Sequence, residues 1–274
     1  MRSVPAPPLP LGRHSARLQR LRRIVAGAEP SLTVLDGVKL ISDAAAAGAR
    51  IVAVYGVADR LAALSGVAGF HELSARGEVF AIDETVAQRV APTRSSQGIL
   101  AIVEVPQATV AAAGVAVYLA DVQDPGNVGG IVRSAAAFGA TAVACSPGCA
   151  DPFSPRALRA SAAAALLLPV VRAAEFDPLA LAFHAAGGTV AATAGGGGVP
   201  ISRWRPSPPV LVVFGNEGQG IAAELADRCD TVVSIPIAAR VESLNVAVTA
   251  GIVLHALAGV VRAPILGSGS GEDA

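Results

Sequence analysis

Residues 115–145 read VAVYLADVQDPGNVGGIVRSAAAFGATAVAC, and this stretch decides the fold class. Its first part, VAVYLAD (115–121), is an unbroken apolar run that predicts a buried strand. DPGN (124–127) ends that strand, and Asn127 is a residue type that caps helices, so a helix is predicted through IVRSAAAF. TAVAC (141–145) predicts the next strand. Strand, helix and strand in this order are typical of an α/β fold.

The same alternation continues toward the C-terminus. A helix is predicted around RALRASAAAALLL, and the four glycines at 195–198 match no phosphate-binding motif and predict a turn. The last helix is predicted from Ser243 to about Val260, and polar residues within its apolar stretch favour a helix buried in protein over a membrane span. The further strands are predicted at TVAATA (189–194), VLVVFG (210–215) and TVVSIP (231–236).

A smaller α/β unit is predicted toward the N-terminus, followed by an Ala/Gly-rich linker after Pro106. Its helix covers 38–47, and its strands are SLTVLDG (31–37), IVAVYG (51–56), EVFAID (78–83) and GILAIVEV (98–105). The expected organisation is a disordered tail at 1–12, a first domain at 13–106, a second domain at 113–262 and a flexible tail at 263–274.

Composition excludes several classes of protein. The chain has 274 residues, 53% of them hydrophobic, and a mean hydropathy of +0.56, so it is not a disordered chain. Equal numbers of basic and acidic residues, 21 each, exclude binding to polyanions by bulk charge alone. Three cysteines exclude a disulfide scaffold and fit a reducing cytoplasm. The first twelve residues contain four prolines and lack the apolar core of a secretory signal.

Positive charge is nevertheless concentrated near the N-terminus, where residues 1–30 hold six arginines and one glutamate. Leu18, Leu21 and Val25 predict a helix with one apolar stripe there. Two interpretations stay open for this segment: a solvated helix face, or an arm that contacts phosphates. The candidate phosphate contacts are Arg13, Arg17, Arg20, Arg22 and Arg23.

Three loops that follow predicted strands carry unusual polar residues, and ligands of α/β sheets bind beyond the carboxyl ends of strands. In the first loop, Gly129 and Gly130 allow close backbone approach, and Arg133 lies within an apolar helix. Arg133 does not share a helix face with Asn127, six residues before it. Either Arg133 forms a structural ion pair or it serves a ligand.

The second loop, FGNEGQGI (214–221), surrounds Asn216 and Glu217 with three glycines, so its backbone N–H groups are expected to be exposed to a ligand. In the third, IPIAARVESLN (235–245), Ser243 is expected to cap the last helix. Asn245 then falls in an apolar sequence, where a buried amide needs a partner from a ligand or another loop. A satisfied core asparagine is the alternative.

Together these loops closely resemble the SpoU (TrmH-like) family of RNA ribose 2′-O-methyltransferases, within the SPOUT superfamily. The family pattern N-x-G-x-x-x-R is met here by Asn127, Gly129 and Arg133. The pattern G-N-E-G-x-G is met by residues 215–220. The pattern I-P…S-L-N is met by Ile235, Pro236, Ser243, Leu244 and Asn245.

The resemblance extends over roughly residues 14–260. SPRALRASAAAALLLPV (154–170) is similar to the family's R-A-S-x-G-A segment, with Ala163 where a glycine is usual. LTVLDGVKLI (32–41) is similar to a strand that ends in an acidic residue and glycine, with Asp36 in place of the commoner glutamate. RSSQGILAIV (94–103) resembles the end of the family's L30e-like substrate-binding domain.

The resemblance implies a small N-terminal L30e-like α/β domain followed by a SPOUT α/β domain with a C-terminal trefoil knot. It implies S-adenosyl-L-methionine bound in the knotted loops, and a homodimer with the site near the interface. The residues expected to bind the cofactor are Gly215, Asn216, Gly218, Ile235, Pro236 and Leu244, and the basic N-terminal segment is expected to bind RNA.

The implied reaction transfers a methyl group from sulfonium to a ribose 2′-oxygen, and no metal is expected because the donor is already activated. The family role often given to the arginine matching Arg133 is that of a base, but a guanidinium is a poor base at neutral pH. We expect Arg133 to hold the adjacent phosphate and polarise the 2′-hydroxyl, whose proton leaves to phosphate or water. Asn127, Glu217, Ser243 and Asn245 are expected to hold loop geometry and orient the ribose.

Ribosomal RNA is the favoured substrate, because an L30e-like domain precedes the catalytic one. Transfer RNA methylation and a non-catalytic RNA-binding member of the fold are the alternatives. A nucleotide-dependent oxidoreductase is disfavoured, since no GxGxxG follows a strand. A cytoplasmic protein without a membrane segment is expected.

Overall fold

The computed structural model describes residues 7–92, 96–238 and 240–258. The chain forms two compact units, and each is described by itself. Unit 1 comprises Met1–Ala108, Asp124–Arg133 and Ala150–Pro169, and unit 2 comprises Thr109–Gln123, Ser134–Cys149 and Val170–Ala274. The predicted division into residues 13–106 and 113–262 is therefore incomplete, because two later segments belong to unit 1.

Unit 1 contains a mixed five-stranded sheet. Its strands are β1 (Leu9–Pro10), β2 (Leu32–Asp36), β3 (Ile51–Gly56), β4 (Val79–Ala81) and β5 (Ile99–Glu104). The order is β1-β4-β3-β5-β2, with β5 antiparallel to both neighbours. The helices of its N-terminal part are α1 (Ala16–Val25), α2 (Val38–Ala46), α3 (Ala58–Leu61), α4 (Phe70–Ala75) and α5 (Glu84–Val90).

The N-terminal segment differs from the predicted disordered tail at 1–12. Within it, β1 pairs in parallel with β4, and the backbone N–H of Leu11 donates to the carbonyl of Ala81 at 3.0 Å. Backbone pairing with an otherwise free sheet edge orders these residues, although their prolines argued against structure. Residues 1–6 lie outside the described residues.

Helix α1 is part of the core of unit 1. Ser15 caps it by accepting the N–H of Leu18 at 3.3 Å. The buried stripe consists of Leu18, Leu21 and Ile24, whereas Val25, predicted as its third member, is half-buried. The helical period of 3.6 residues allows either spacing, so only the packing decides which residue turns inward.

Two later segments join unit 1 through contacts with β2. The hydroxyl of Thr33 donates to the carbonyl of Phe153 at 2.6 Å, and both groups are buried. The guanidinium of Arg159 lies 3.3 Å from the carboxylate of Asp36, which is 3% exposed. These contacts join residues more than 100 positions apart, and sequence periodicity carries no information about them.

These segments carry α6 (Pro125–Ala137), of which residues 125–133 belong to unit 1, and α7 (Pro155–Ala160). Gly129 on α6 lies so close to α7 that an added Cβ would come within 2.7 Å of the Cβ of Ala160. The close approach predicted for Gly129 is therefore explained by helix packing inside the protein.

The long helix predicted around 156–168 is interrupted after α7. Ala162 and Ala163 have φ values of +49° and +64°, and the N–H of Ala163 donates to the carbonyl of Leu158 at 2.9 Å, which closes the helix end. Ala163 thus occupies a left-handed backbone conformation that favours glycine. Because alanine is the best helix former, the alanine-rich sequence gave no warning of this break.

Unit 2 contains a seven-stranded parallel sheet. Its strands are β6 (Val115–Leu119), β7 (Ala142–Cys145), β8 (Val170–Val171), β9 (Thr189–Ala194), β10 (Val199–Pro200), β11 (Val210–Phe214) and β12 (Thr231–Ser234). The order is β10-β12-β9-β11-β6-β7-β8, with every pairing parallel. The five strands predicted here lie where the apolar runs placed them, and the α/β fold class is confirmed; the short β8 and β10 were not predicted.

The core of unit 2 is formed largely by alanine and valine from the sheet, with Phe176 and Phe183 contributed by a helix. The helices of this unit besides the end of α6 are α8 (Phe176–Ala185), α9 (Ala223–Ala226) and α10 (Val246–Leu257). In the described part of the chain, no helix is long and apolar enough to cross a membrane. The predicted helix end near Val260 and the predicted tail at 263–274 lie outside the described residues.

Candidate active site

A cavity of about 400 Å³ lies in unit 2 where β9, β11 and β12 end. Its walls come from the ends of β9 and β12, the loop after β11, the segment after β12 and the first turns of α10. The lining residues are 193–195, 215–220 and 243–246, together with Val233, Ile235, Ile237, Thr249 and Val253. The cavity is thus at the carboxyl edge of a parallel sheet, where ligands bind in open α/β folds.

The loop after β11 is held closed by its own hydrogen bonds. Backbone bonds of 2.9 Å join Asn216 and Gly220 in both directions. The side-chain oxygen of Asn216 accepts the N–H groups of Gly218 at 2.8 Å and Gln219 at 3.2 Å, and its Nδ2 donates to the carbonyl of Asp121 at 2.9 Å. Asn216 lines the cavity, as predicted, but its amide braces the loop.

Two glycines of this loop have different physical roles. An added Cβ at Gly215 would lie 2.5 Å from the backbone nitrogen of Ile221 and closer still to the carbonyl of Gly220, so the closed loop has no room for a side chain there. At Gly218 the nearest atom to an added Cβ is the Asn216 Oδ1 at 3.6 Å, an ordinary contact. Gly215 therefore permits loop closure, whereas Gly218 leaves space open at the cavity wall.

The cap of the last helix lies two residues later than predicted. Asn245, and not Ser243, is its cap, since the Asn245 Oδ1 accepts the N–H groups of Ala247 at 2.9 Å and Val248 at 3.3 Å. Asn245 is exposed rather than buried, so the prediction that it needs a partner inside an apolar core is wrong. Capping the helix still fixes the position of Ser243 and Leu244, which line the cavity.

The structure brings most of the predicted site residues of unit 2 to this cavity. Gly215, Asn216, Glu217, Gly218, Ile235, Ser243, Leu244 and Asn245 all line it. Pro236 is exposed and is not among the lining residues, because the chain alternates there and turns Ile235 and Ile237 toward the cavity.

Asn127 and Arg133 lie on α6, within unit 1. The prediction that Asn127 caps this helix is wrong: the cap is Asp124, whose Oδ1 accepts the N–H groups of Gly126 at 2.6 Å and Asn127 at 3.1 Å. Pro125 then occupies the first helical position, where its missing N–H and fixed φ suit a helix start. The helix consequently begins earlier than the sequence prediction placed it.

Arg133 is exposed on α6, so it is not buried in an apolar sequence as its neighbours indicated. Within the part of the chain that the structure describes, the Arg133 side chain forms no ion pair or hydrogen bond. A structural ion pair to another described residue is therefore excluded, and the guanidinium has its donors available for a ligand.

The part of the cavity wall at the end of β9 was not predicted from the sequence. Thr193, Ala194 and Gly195 line the cavity, and the hydroxyl of Thr193 donates to the carbonyl of Val213 at 2.9 Å. The glycine run at 195–198 does turn the chain, as predicted, but its first member also forms part of the site. The signal was present in the position of this turn, directly after a buried parallel strand.

A polar cluster after β6 and β7 supports the loop after β11. Asp121, in a left-handed conformation with φ +58°, accepts the Ser146 hydroxyl at 2.6 Å, and its carbonyl receives Nδ2 of Asn216. Cys149 lies 3.6 Å from the same hydroxyl. A hydrogen bond with Cys145 is the main reason that the pKa of Cys149 is lowered from 9.0 to about 7, against the opposing effect of its partial burial.

The arginines of the basic N-terminal segment are mostly paired. Arg17 lies 3.0 Å from Glu78 and stacks over Phe80, while Arg20 and Arg23 share Glu29 at 3.2 and 3.7 Å. Arg13 lies 3.7 Å from Asp83. Among the described residues, Arg22 has no such partner. These pairs are exposed, so each stabilises the fold little, about 0–1 kcal/mol.

No group of three or more His, Cys, Asp or Glu side chains that could hold a metal ion is found in the described ranges of the chain. The residues around the cavity offer backbone amides, hydroxyls, one carboxylate and apolar side chains. This set suits an organic ligand with both polar and apolar parts.

Comparison with known proteins gives one consistent result. Residues 114–255 match the model of the SpoU rRNA Methylase family. An uncharacterized tRNA/rRNA methyltransferase of Synechocystis sp. is 36% identical over 202 residues, covering 73% of this chain and 70% of the relative. The 23S rRNA (guanosine(2553)-2′-O)-methyltransferase RlmP of Bacillus subtilis is 33% identical over 182 residues, covering 66% of this chain and 73% of that protein.

Solved structures agree with the sequence relatives. The crystal structure of an AdoMet-bound rRNA methyltransferase from Sinorhizobium meliloti superposes with a TM-score of 0.76 at 25% identity, covering 90% of this chain and 96% of that one. The matched length includes residues of both compact units.

Proposed function

Since this chain belongs to the SpoU rRNA Methylase family, we propose that it transfers a methyl group from S-adenosylmethionine to a ribose 2′-oxygen of RNA, with ribosomal RNA as the favoured substrate. The observation that carries this proposal is the cavity in unit 2. Two of the family's three motif segments, 215–220 and 235–245, both contribute to its wall, although they are separated in sequence.

The residues present fit S-adenosylmethionine. The cavity volume of about 400 Å³ is within the range of small-molecule sites, about 300–1,000 Å³. Its wall combines apolar side chains, such as Ile235 and Leu244, with the backbone of a glycine loop that leaves open space at Gly218. In this proposal Gly215, Gly218, Ile235 and Leu244 contact the cofactor.

Two predicted cofactor contacts take other roles in this proposal. Asn216 acts through the loop that it braces, because its amide oxygen and nitrogen are already used within the protein. Pro236 directs the chain between Ile235 and Ile237. Both are positioning residues for the cofactor and not direct polar contacts to it.

S-adenosylmethionine, when bound, supplies a methyl group that is already activated on sulfonium. The chain must position the ribose and allow the 2′-hydroxyl proton to leave. We assign to Arg133 the grip on the phosphate adjacent to the methylated ribose and the polarisation of the 2′-hydroxyl, with phosphate or water taking the proton. Its exposure, and the absence of an ion pair or hydrogen bond from its guanidinium to any described residue, support this assignment.

The other polar residues orient the substrate or hold the loops. Glu217, Ser243 and Asn245 lie at the cavity wall, and Glu217 and Ser243 are exposed to an incoming ribose. Asn245 holds the start of α10, so its share in orienting ribose is indirect. Asn127 belongs to the first turn of α6 and is proposed to hold loop geometry and to orient the ribose.

Ribosomal RNA is favoured over transfer RNA because the B. subtilis relative acts on 23S rRNA.

We further propose that the N-terminal domain is L30e-like and binds RNA, with Arg13, Arg17, Arg20, Arg22 and Arg23 on its surface. The weak exposed ion pairs of these arginines are compatible with exchange for phosphate. Because α1 contributes core residues, a test by truncation of residues 1–30 would unfold unit 1, and charge-removing substitutions are required.

The same proposal includes the chain topology, the oligomeric state with the location, and the absence of a metal requirement. We propose, on the resemblance of its three motifs to those of the family, that the C-terminal segment forms a trefoil knot. The protein is a cytoplasmic homodimer that requires no metal. Support for the dimer comes from Val248 and Ile252, two apolar residues exposed on one face of α10, next to the residues that line the cavity.

Calorimetry separates an enzyme from a non-catalytic RNA-binding member of the fold. Titration of the purified protein with S-adenosylmethionine should show one site per chain. Absence of binding, in a protein shown by circular dichroism to be folded, would favour the non-catalytic alternative. Mapping of 2′-O-methyl groups in cellular RNA with and without the gene then identifies whether ribosomal or transfer RNA is the substrate.

A further inference from the structure

Unit 2 carries three exposed arginines that the proposed chemistry does not use. Arg203 and Arg205 follow β10, and Arg240 follows β12. In the ranges that the structure describes, none of the three forms an ion pair; Arg205 donates only to the carbonyl of Trp204, at 2.8 Å. By contrast, Arg228 of the same unit is paired with Asp177.

The sheet order brings the two segments that carry these arginines to the edge of the sheet at which the cavity lies. Strands β10 and β12 are parallel neighbours, with Pro200 opposite Ser234, and the N–H of Ile201 donates to the carbonyl of Ser234 at 2.8 Å. The segments that follow β10 and β12 therefore leave the sheet at the same edge. The residues that follow β12 directly, Ile235 and Ile237, line the cavity.

The segment with Arg203 and Arg205 is held in a fixed turn. Trp204 lies between them and is 9% exposed, and the N–H of Arg203 donates to the carbonyl of Pro200 at 2.8 Å. Before β10, Gly198 has φ +72° and lies against the backbone of Val232, so this end of the strand is also closely packed. The Trp204 side chain is therefore largely buried, whereas the Arg203 and Arg205 side chains on either side of it are exposed.

Charge and chemistry indicate the ligand. The two segments that carry the three arginines, residues 201–206 and 235–245, hold one acidic residue, Glu242, so positive charge is in excess along them. Arginine binds phosphate through two parallel N–H donors, and an RNA strand presents one phosphate per nucleotide. A ribose that enters the cavity must bring its flanking phosphates to the cavity rim.

We propose that Arg203, Arg205 and Arg240 form a phosphate-binding surface that holds the RNA backbone beside the methyl-transfer cavity. The proposal rests on the proposed function, since it assumes that RNA is the substrate. It assigns part of the RNA affinity to the catalytic unit itself, in addition to the basic helix α1.

The test compares binding to in vitro transcribed bacterial 23S rRNA as a function of salt for three variants: R203Q/R205Q, R240Q and, as a matched control, R228Q. Log K falls as log salt rises, and each phosphate contact that is lost reduces the magnitude of this negative slope by about 1. We expect the magnitude to decrease by about 2 for R203Q/R205Q and by about 1 for R240Q, with R228Q like wild type. Melting temperature and S-adenosylmethionine affinity should not change in these variants.

An unchanged slope in both R203Q/R205Q and R240Q overturns the proposal, as does an equal decrease in R228Q, which would show that removal of any exposed charge has the same effect. These outcomes differ from a failure of the proposed function. If the proposed function were wrong, the wild-type protein would fail to bind S-adenosylmethionine or to methylate RNA, whatever the behaviour of the arginine variants.

Discussion

The substitution Gly215→Ala should weaken S-adenosylmethionine binding by opening the loop after β11. The added Cβ would lie 2.5 Å from the nitrogen of Ile221, and real Cβ atoms do not approach backbone so closely. Because φ of Gly215 is not in the left-handed region, alanine is not disfavoured by backbone conformation. The whole effect is therefore steric, and the loop must move away from its closed form.

The size of the effect follows from the bonds that close the loop. Opening it loses the two 2.9 Å backbone bonds between Asn216 and Gly220. At about 0.5–1.5 kcal/mol each, the cost is about 1–3 kcal/mol. The clash must exceed this cost for the loop to open. If the cofactor binds only the closed loop and the excess is of the same size, about 1–3 kcal/mol, the dissociation constant should rise by about 5- to 150-fold.

Isothermal titration calorimetry at fixed salt and temperature measures this change. Gly196→Ala is the matched control, since an added Cβ there meets no atom within 4 Å and Gly196 does not line the cavity. A wild-type dissociation constant for Gly215→Ala would refute the reasoning that loop closure builds the site. An equal loss for Gly196→Ala would show that the effect is not specific to this loop.

Three other predictions test the site by different means. Gly218→Val should abolish S-adenosylmethionine binding in calorimetry while leaving the melting curve unchanged, because the side chain fills cavity space; normal binding would mean that the cofactor site is elsewhere. Arg133→Ala should reduce methyl transfer by about 10²–10³ in rate with cofactor affinity intact, and Arg133→Lys should recover activity only in part, since lysine lacks the planar fork; a lowered melting temperature with normal turnover of the folded fraction would make Arg133 structural. The rate of alkylation by iodoacetamide, measured by mass spectrometry, should be half-maximal near pH 7 at Cys149, because the thiolate is the nucleophile and its population rises as pH passes the lowered pKa of about 7. The pKa of Cys229 is raised by burial to about 11, so alkylation of Cys229 should stay slow below pH 9. Equal pH profiles for the two cysteines would contradict these pKa shifts.

Much of the sheet could be predicted from sequence because buried parallel strands have a simple signature. Runs such as VAVYL and VLVVF are apolar throughout and are bounded by glycine, proline or aspartate, so β6 and β11 were predicted within about two residues. Short edge strands lack this signature. The two-residue strand β1 is ordered by pairing with β4, a contact that no local pattern reveals.

Helix ends were harder to predict than helices. Asp124 and Asn245 are the caps of α6 and α10, although Asn127 and Ser243 are equally good capping residue types. Which of two nearby residues becomes the cap depends on where the backbone becomes helical, and the predicted and observed caps differ by two or three residues. Ala163 adopts a left-handed backbone conformation that ends a helix. Its residue type favours helix, so composition predicted that the helix continues there.

The motif loops predicted most of the cavity wall, and the resemblance supplied what they bind. Residues that reach the cavity only through topology were missed, among them Thr193 and Gly195, because their own sequence is an ordinary strand and turn. The division into units was also missed, since it depends on long-range bonds such as that between Thr33 and Phe153.

The most direct test of the central claim is the chemical position of the transferred methyl group. Purified protein is incubated with S-adenosylmethionine labelled in its methyl group and with ribosomal RNA from a strain that lacks the gene, and the RNA is then hydrolysed with alkali. A 2′-O-methyl group blocks cleavage at its own nucleotide, so we expect label in alkali-resistant dinucleotides, and loss of that label with Arg133→Ala. Label in mononucleotides, which would place the methyl group on a base, or no transfer by a protein that binds the cofactor, would contradict it.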